Sequence, residues 1–254
     1  MTIIHPATLL FFLTGMAIMF GVMIAHLKLN MPLKIRRVDQ LDQIDRMIKA
    51  TAERGRPILI TPGGLTASDT YAPSWAAMFQ YIAEQAGKLN IRVYSTYYLA
   101  DGLAFLGDRI REGYIKSGHP ELYRPEDQLF ISGNYTWTQG TIGLAQRIQP
   151  GAAFVIGSWD NACHVNVMKA LSLNAEKPLM MGGCGWYDGT AYCGVMCDYS
   201  WIGDQHMAAY AMLSGDPTHP TLVAGLDFVK LMFIAIPFIT FIASVLGVNL
   251  LPLF

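Results

Sequence analysis

Polar and apolar positions divide the chain into two apolar ends and a patterned middle. From Ala7 to Ala25 the sequence reads ATLLFFLTGMAIMFGVMIA, with no charged side chain before Lys28. A helix of roughly 20 apolar residues crosses about 30 Å of hydrocarbon. A cleaved signal peptide fits less well: no Lys or Arg precedes the run, the run is long, and no small-x-small site follows it. A second apolar run starts near Leu231 and reads LMFIAIPFITFIASVLGVNLLPLF to the C-terminus. Pro237 lacks a backbone donor and is expected to bend this helix, which membrane helices tolerate when neighbours satisfy the freed carbonyl.

Between the ends, Val38, Leu41, Ile44 and Ile48 recur at three- and four-residue steps, which predicts an amphipathic helix. A strand–helix rhythm follows. Apolar runs at Pro57–Gly64, Ile91–Tyr98, Gln128–Asn134, Ala152–Ser158 and Pro178–Gly183 read as strands, each followed by a helical stretch. This alternation predicts an α/β, Rossmann-like, mostly parallel sheet with helices on both faces. The stretch after Cys184 breaks the rhythm. Asp188-Gly189 lies between aromatic and small residues, the signal of a β-hairpin, here near 186–202. A helix from about Gln205 to Ser214 is expected next. The predicted layout is an N-terminal transmembrane helix over 1–30, an α/β domain over 31–222 and a C-terminal transmembrane helix over 223–254.

Composition supports that layout. Charged residues make up 15% of the chain, against roughly 25% in a soluble domain. With 18 Lys+Arg and 19 Asp+Glu, no charge excess points to nucleic acid. Lys28, Lys34, Arg36, Arg37 and Lys230 flank the inner ends of the two apolar runs, and the outer flanks carry no Lys or Arg. The positive-inside tendency then predicts a multi-pass protein of the cell membrane with a cytoplasmic domain and both termini outside. Small residues at helical spacing, Ala17, Gly21 and Ala25, then Ala243 and Gly247, allow close helix pairing within the chain or between copies.

Ligands of open parallel sheets bind outside the carboxyl ends of the strands. The candidate ligand-binding residues there are Thr61, Gly63 and Gly64, Ser132 and Asn134, and Ser158 and Asp160. Thr61–Gly64, with Thr66, Ser68 and Thr70 after it, offers backbone N–H groups to an anion. It is neither a G-x-G-x-x-G nor a lysine-bearing phosphate loop, and glycines also serve plain sharp turns. Asp160 and His164 are four apart at a helix start, spacing that suits an acid/base pair or an ordinary helix cap. Ser132 and Ser158 lack a G-x-S-x-G elbow. Cys193 and Cys197, if on a strand, lie about 13 Å apart, too far for one zinc ion. No catalytic residue, metal ligand or cofactor is assigned. The aromatics Tyr135, Trp137, Trp159, Trp186, Tyr187, Tyr192, Tyr199 and Trp201 cluster late in the chain. Some of them are expected at subunit contacts.

The stretch CDYSWIGDQHMAAYAMLSGDP (Cys197–Pro217), with the order of elements, resembles an uncharacterised bacterial and archaeal family of membrane proteins. That resemblance implies an anchor at each end and a Rossmann-like domain between, and no catalytic residue. Two functions stay open. One is a self-associating structural or assembly protein, its partners the lipid bilayer and further copies of itself. The other is an enzyme or sensor binding a nucleotide or other anionic small molecule at the strand ends.

Overall fold

The computed structural model describes residues 6–29, 38–157, 161–185, 187–216 and 218–246. They divide into two units: Met1–Arg36 with Ser214–Phe254, and Arg37–Leu213.

The second unit is the α/β body. Helix α2 (Asp39–Glu53) buries Leu41, Ile44, Met47 and Ile48, as its three- and four-residue apolar steps require. Then strand and helix alternate: β1 (Ile58–Gly63), α3 (Ala72–Lys88), β2 (Val93–Tyr97), α4 (Ala100–Ser117), β3 (Gln128–Phe130), α5 (Asn134–Ile148), β4 (Ala152–Gly157), α6 (Asn161–Ser172), β5 (Leu179–Cys184), α7 (Tyr187–Met196), β6 (Tyr199–Ile202) and α8 (Gln205–Leu213). The six strands form one sheet in the order β3-β2-β1-β4-β5-β6, with every pairing parallel. Both β1 and β4 are buried along their whole length, so they read as continuous apolar runs. Helices α3 and α4 pack closely together, as do α5 and α6. Leu59, Val155, Trp137, Leu144, Val167 and Met168 fill the core beneath α5 and α6.

The expected hairpin near 186–202 is not formed. Residues 187–196 are helix α7, and β6 runs parallel to β5. A tight two-residue turn joins only antiparallel neighbours; parallel neighbours need a crossover, which α7 supplies. The packing of Cys193 against Gly182 outweighs the local turn preference of Asp188-Gly189.

The first unit contains two helices long and apolar enough to cross a membrane, α1 (Pro6–Leu29) and α9 (Thr218–Val245). Helix α9 begins well before Leu231 and continues through Pro237. Asp216 supports that early start by accepting from Thr218 N at 2.8 Å and from its hydroxyl at 2.7 Å. A Cβ on Gly225 would lie 3.2 Å from the Met19 α-carbon, and one on Gly15 would lie 3.9 Å from Val229. The two helices therefore pack antiparallel through Gly15 and Gly225, outside the expected small-residue stripe. Of the expected small-residue stripe, a Cβ on Gly21 would meet nothing within 4 Å among the described residues, and Gly247 lies outside them.

Candidate functional site

The strand order is that of a doubly wound sheet, whose direction of travel reverses between β1 and β4. The carboxyl ends of these two strands frame the crevice where such folds receive ligands. Thr61 sits at this end of β1, fully buried. Its hydroxyl has no hydrogen-bond partner among the described residues. An unpaired buried hydroxyl costs on the order of 1–3 kcal/mol. The register shifts between Ile60 and Gly63, and Gly63 takes φ +68°, a left-handed conformation that favours glycine.

The geometry closes much of the expected anion loop. A Cβ on Gly64 would fall 1.8 Å from the Tyr98 hydroxyl oxygen, so the phenol tip covers that backbone. A Cβ on Gly157 would fall 2.1 Å from the Pro62 carbonyl oxygen, which brings the ends of β4 and β1 into direct contact. The Thr66 N–H donates to the Asp69 carboxylate at 2.9 Å, and the Thr66 and Ser68 hydroxyls bond each other at 2.8 Å. The Thr66 N–H is thus taken by a side chain of the loop itself.

Of the residues read from sequence, the structure brings Thr61, Gly63 and Gly64 together on one turn. Ser132 is exposed and Asn134 half-buried beyond β3. That edge is two strands from β1, about 10 Å away. The Asn134 carbonyl accepts from the Thr138 hydroxyl at 2.8 Å, an ordinary helix contact. Ser158 and Asp160 lie outside the described residues, and with Asp160 so does the Asp160–His164 pair.

Two buried aromatic–imidazole clusters flank the strand ends, and neither was legible as a cluster in the sequence. In the first, the Trp137 ring lies 4.7 Å from His164 and 5.5 Å from Tyr98. Trp137 Nε1 donates to Thr96 Oγ1 at 3.2 Å, and Thr141 donates to the same oxygen at 2.9 Å. In the second, His206 lies among Tyr71, Trp75 and Trp201, with ring centroids 5.4, 5.8 and 5.9 Å away. Trp75 Nε1 donates to His206 Nδ1 at 3.2 Å. Burial pushes the His206 pKa down to about 4, with the Cys184 carbonyl pulling weakly upward. The imidazole is therefore neutral at pH 7, and its proton sits on Nε2. Trp137 and Trp201 are wholly buried and so excluded from any subunit contact, whereas Tyr135 and Tyr192 are exposed. Trp159 and Trp186 lie outside the described residues.

All four cysteines are free thiols. Because Cys193 lies on α7 and Cys197 just after it, their sulfurs converge. A Cβ on Gly182 would lie 2.9 and 2.7 Å from them. The 13 Å separation expected for a strand is thus overturned. Both thiols are pushed up by burial, Cys197 to about 12, and Cys197 Sγ donates to Met168 Sδ at 3.4 Å. Among the described residues no three His, Cys, Asp or Glu side chains gather as a metal site.

A hollow of about 580 Å³ opens at the opposite, amino-terminal edge of the sheet, near Arg56, Arg92, Tyr94 and Arg147. The carboxyl ends of α2, α3 and α5 reach it, so cations there complement helix dipoles. Arg92 holds Asp127 at 2.7 Å, and Arg56 donates to the Gln149 carbonyl at 3.3 Å.

A family model described as a domain of unknown function, DUF6754, matches residues 3–252. The chain belongs to that family. No curated protein and no solved structure matches it. In this family member, two candidate terminal apolar helices flank a six-stranded parallel α/β body, as the late Cys197–Pro217 stretch implied.

Proposed function

We propose that this chain is a membrane protein, anchored by α1 and α9, that self-associates and holds its α/β unit at the cytoplasmic surface. The observation that carries this is the uncovered surface of the helix pair. Phe12, Leu13, Phe20 and Ile24 on α1, and Leu231, Ile234, Phe238 and Phe241 on α9, are all exposed. Leaving such side chains in water forgoes about 1.5–3 kcal/mol each, so lipid or another copy must cover them. Among the described residues nothing fills the space beside Gly21, which leaves room for a closely packed neighbour. Mass measurement in mild detergent tests the reading. Oligomers are expected, and a monomer at all concentrations overturns it.

A second reading rests on the unpartnered Thr61 hydroxyl at the switch point, which a small polar ligand would satisfy. Nucleoside phosphates, dinucleotides and sugar phosphates are the probes, read by thermal shift on wild type and Thr61→Val. A ligand that raises the melting temperature of wild type but not of the variant supports it. If no probe acts, Thr61→Val is expected to be neutral or more stable by about 1 kcal/mol, since an unpaired hydroxyl is gone.

A further inference from the structure

The contacts Gly15–Val229 and Met19–Gly225 fix the relative height of α1 and α9. In this antiparallel register Asp227 lies level with Ala17, and Lys230 with Thr14. Helix α1 runs from Pro6 to Leu29, so Asp227 stands beside its midpoint, about 16 Å from its first residue at 1.5 Å per residue. Counted along α9 from Leu231 alone, the same pair looks terminal. Any slab of lipid centred on α1 therefore contains it.

The direction of the pair is equally informative. At 100° per residue, Gly225 and Val229 lie about 40° apart on α9 and face α1. Asp227 lies about 180° from their mean direction, and Lys230 about 120°. The two side chains pair with each other, Nζ to Oδ1 at 3.6 Å, and are 40% and 45% exposed. They look out of the helix pair. Below them Leu231, Ile234, Phe238, Phe241 and Val245 continue the same face in alternating steps of four and three, and all are exposed. Those steps are the heptad seam of two packed helices. Lipid covers the apolar part of that seam without penalty, but it offers the two charges nothing.

We propose that this α9 face is the contact between two copies of the chain. A two-fold axis along the helices brings Asp227 of each copy to Lys230 of the other, since one patch carries both signs. Two inter-copy ion pairs then sit above an apolar seam. The proposal deepens the assembly reading by naming its contact, and rests on it.

The test is co-purification of two differently tagged full chains, co-expressed and extracted in mild detergent. Wild type with wild type is expected to co-purify. Asp227→Lys alone and Lys230→Asp alone are each expected to lose at least tenfold of the captured partner. Asp227→Lys co-expressed with Lys230→Asp is expected to recover it, because one chain then carries two cations and the other two anions. An ion pair acting only within its own helix would stay broken in that mixture, so failure to recover overturns the proposal. If the charge variants fail to insert, Asp227→Asn with Lys230→Gln decides: reduced capture is expected, and wild-type capture overturns it. Wild-type association unchanged by every variant sinks this contact and leaves self-association standing. No wild-type association sinks both.

Discussion

At the residue scale, the buried side chains that matter are those whose partner is another ring. His206 is enclosed by Tyr71, Trp75 and Trp201 and is held neutral by burial. Unfolded, the same imidazole titrates near 6.5. Between about pH 6.5 and pH 4 the unfolded chain therefore binds a proton that the folded chain does not. Stability from this site is complete above pH 6.5 and falls as the pH is lowered toward 4. At about 1.4 kcal/mol per unit the loss approaches roughly 3 kcal/mol. Denaturant titrations of the full chain at pH 7.5 and pH 4.5 measure it. His206→Gln is expected to flatten that slope even if it lowers stability throughout. A wild-type stability that does not fall over this range contradicts the buried neutral state. Nothing in the sequence around His206 announces this role, because Trp75 is 131 positions away.

At the element scale, helix packing turns on glycines that admit a neighbouring backbone. A Cβ on Gly113 of α4 would meet the Gln80 carbonyl oxygen at 2.4 Å and the Glu84 nitrogen at 2.9 Å on α3. Backbone cannot yield there as a flexible side-chain end does, so Gly113→Ala is expected to destabilise by about 1–3 kcal/mol through overpacking. A Cβ on Gly143 of α5 would meet nothing within 4 Å among the described residues. Gly143→Ala is expected to stabilise by up to about 1 kcal/mol through helix propensity alone. Parallel denaturant melts of the two variants should move in opposite directions. Shifts of the same sign would mean the α3–α4 contact is looser than these distances. The strand–helix rhythm made both helices legible from sequence. Which of their glycines is crowded was not, since that depends on an element elsewhere in the chain.

At the scale of the whole molecule, the proposed topology rests on the basic residues at and after the end of α1, Lys28, Lys34, Arg36 and Arg37, since Lys230 falls inside α9 and not at its flank. Protease added to right-side-out vesicles is expected to leave the α/β body intact, and added to inverted vesicles to degrade it. The reverse pattern would turn the topology over while leaving the helices in the membrane.

The amino-acid sequence by itself determined the alternation of strands and helices, the two apolar ends and the amphipathic helix before the sheet. Each of these is written in the spacing of neighbouring residues, which hydrophobic burial converts directly into a period of two or of about 3.6. Tertiary structure alone decided the strand order around β1 and β4, the burial of Trp137 and Trp201, and the helical state of 187–196 against its own turn signal. It alone set Asp227 and Lys230 beside the middle of α1. These depend on which distant surfaces meet and at what relative height, and a contact between distant segments leaves no period along either one.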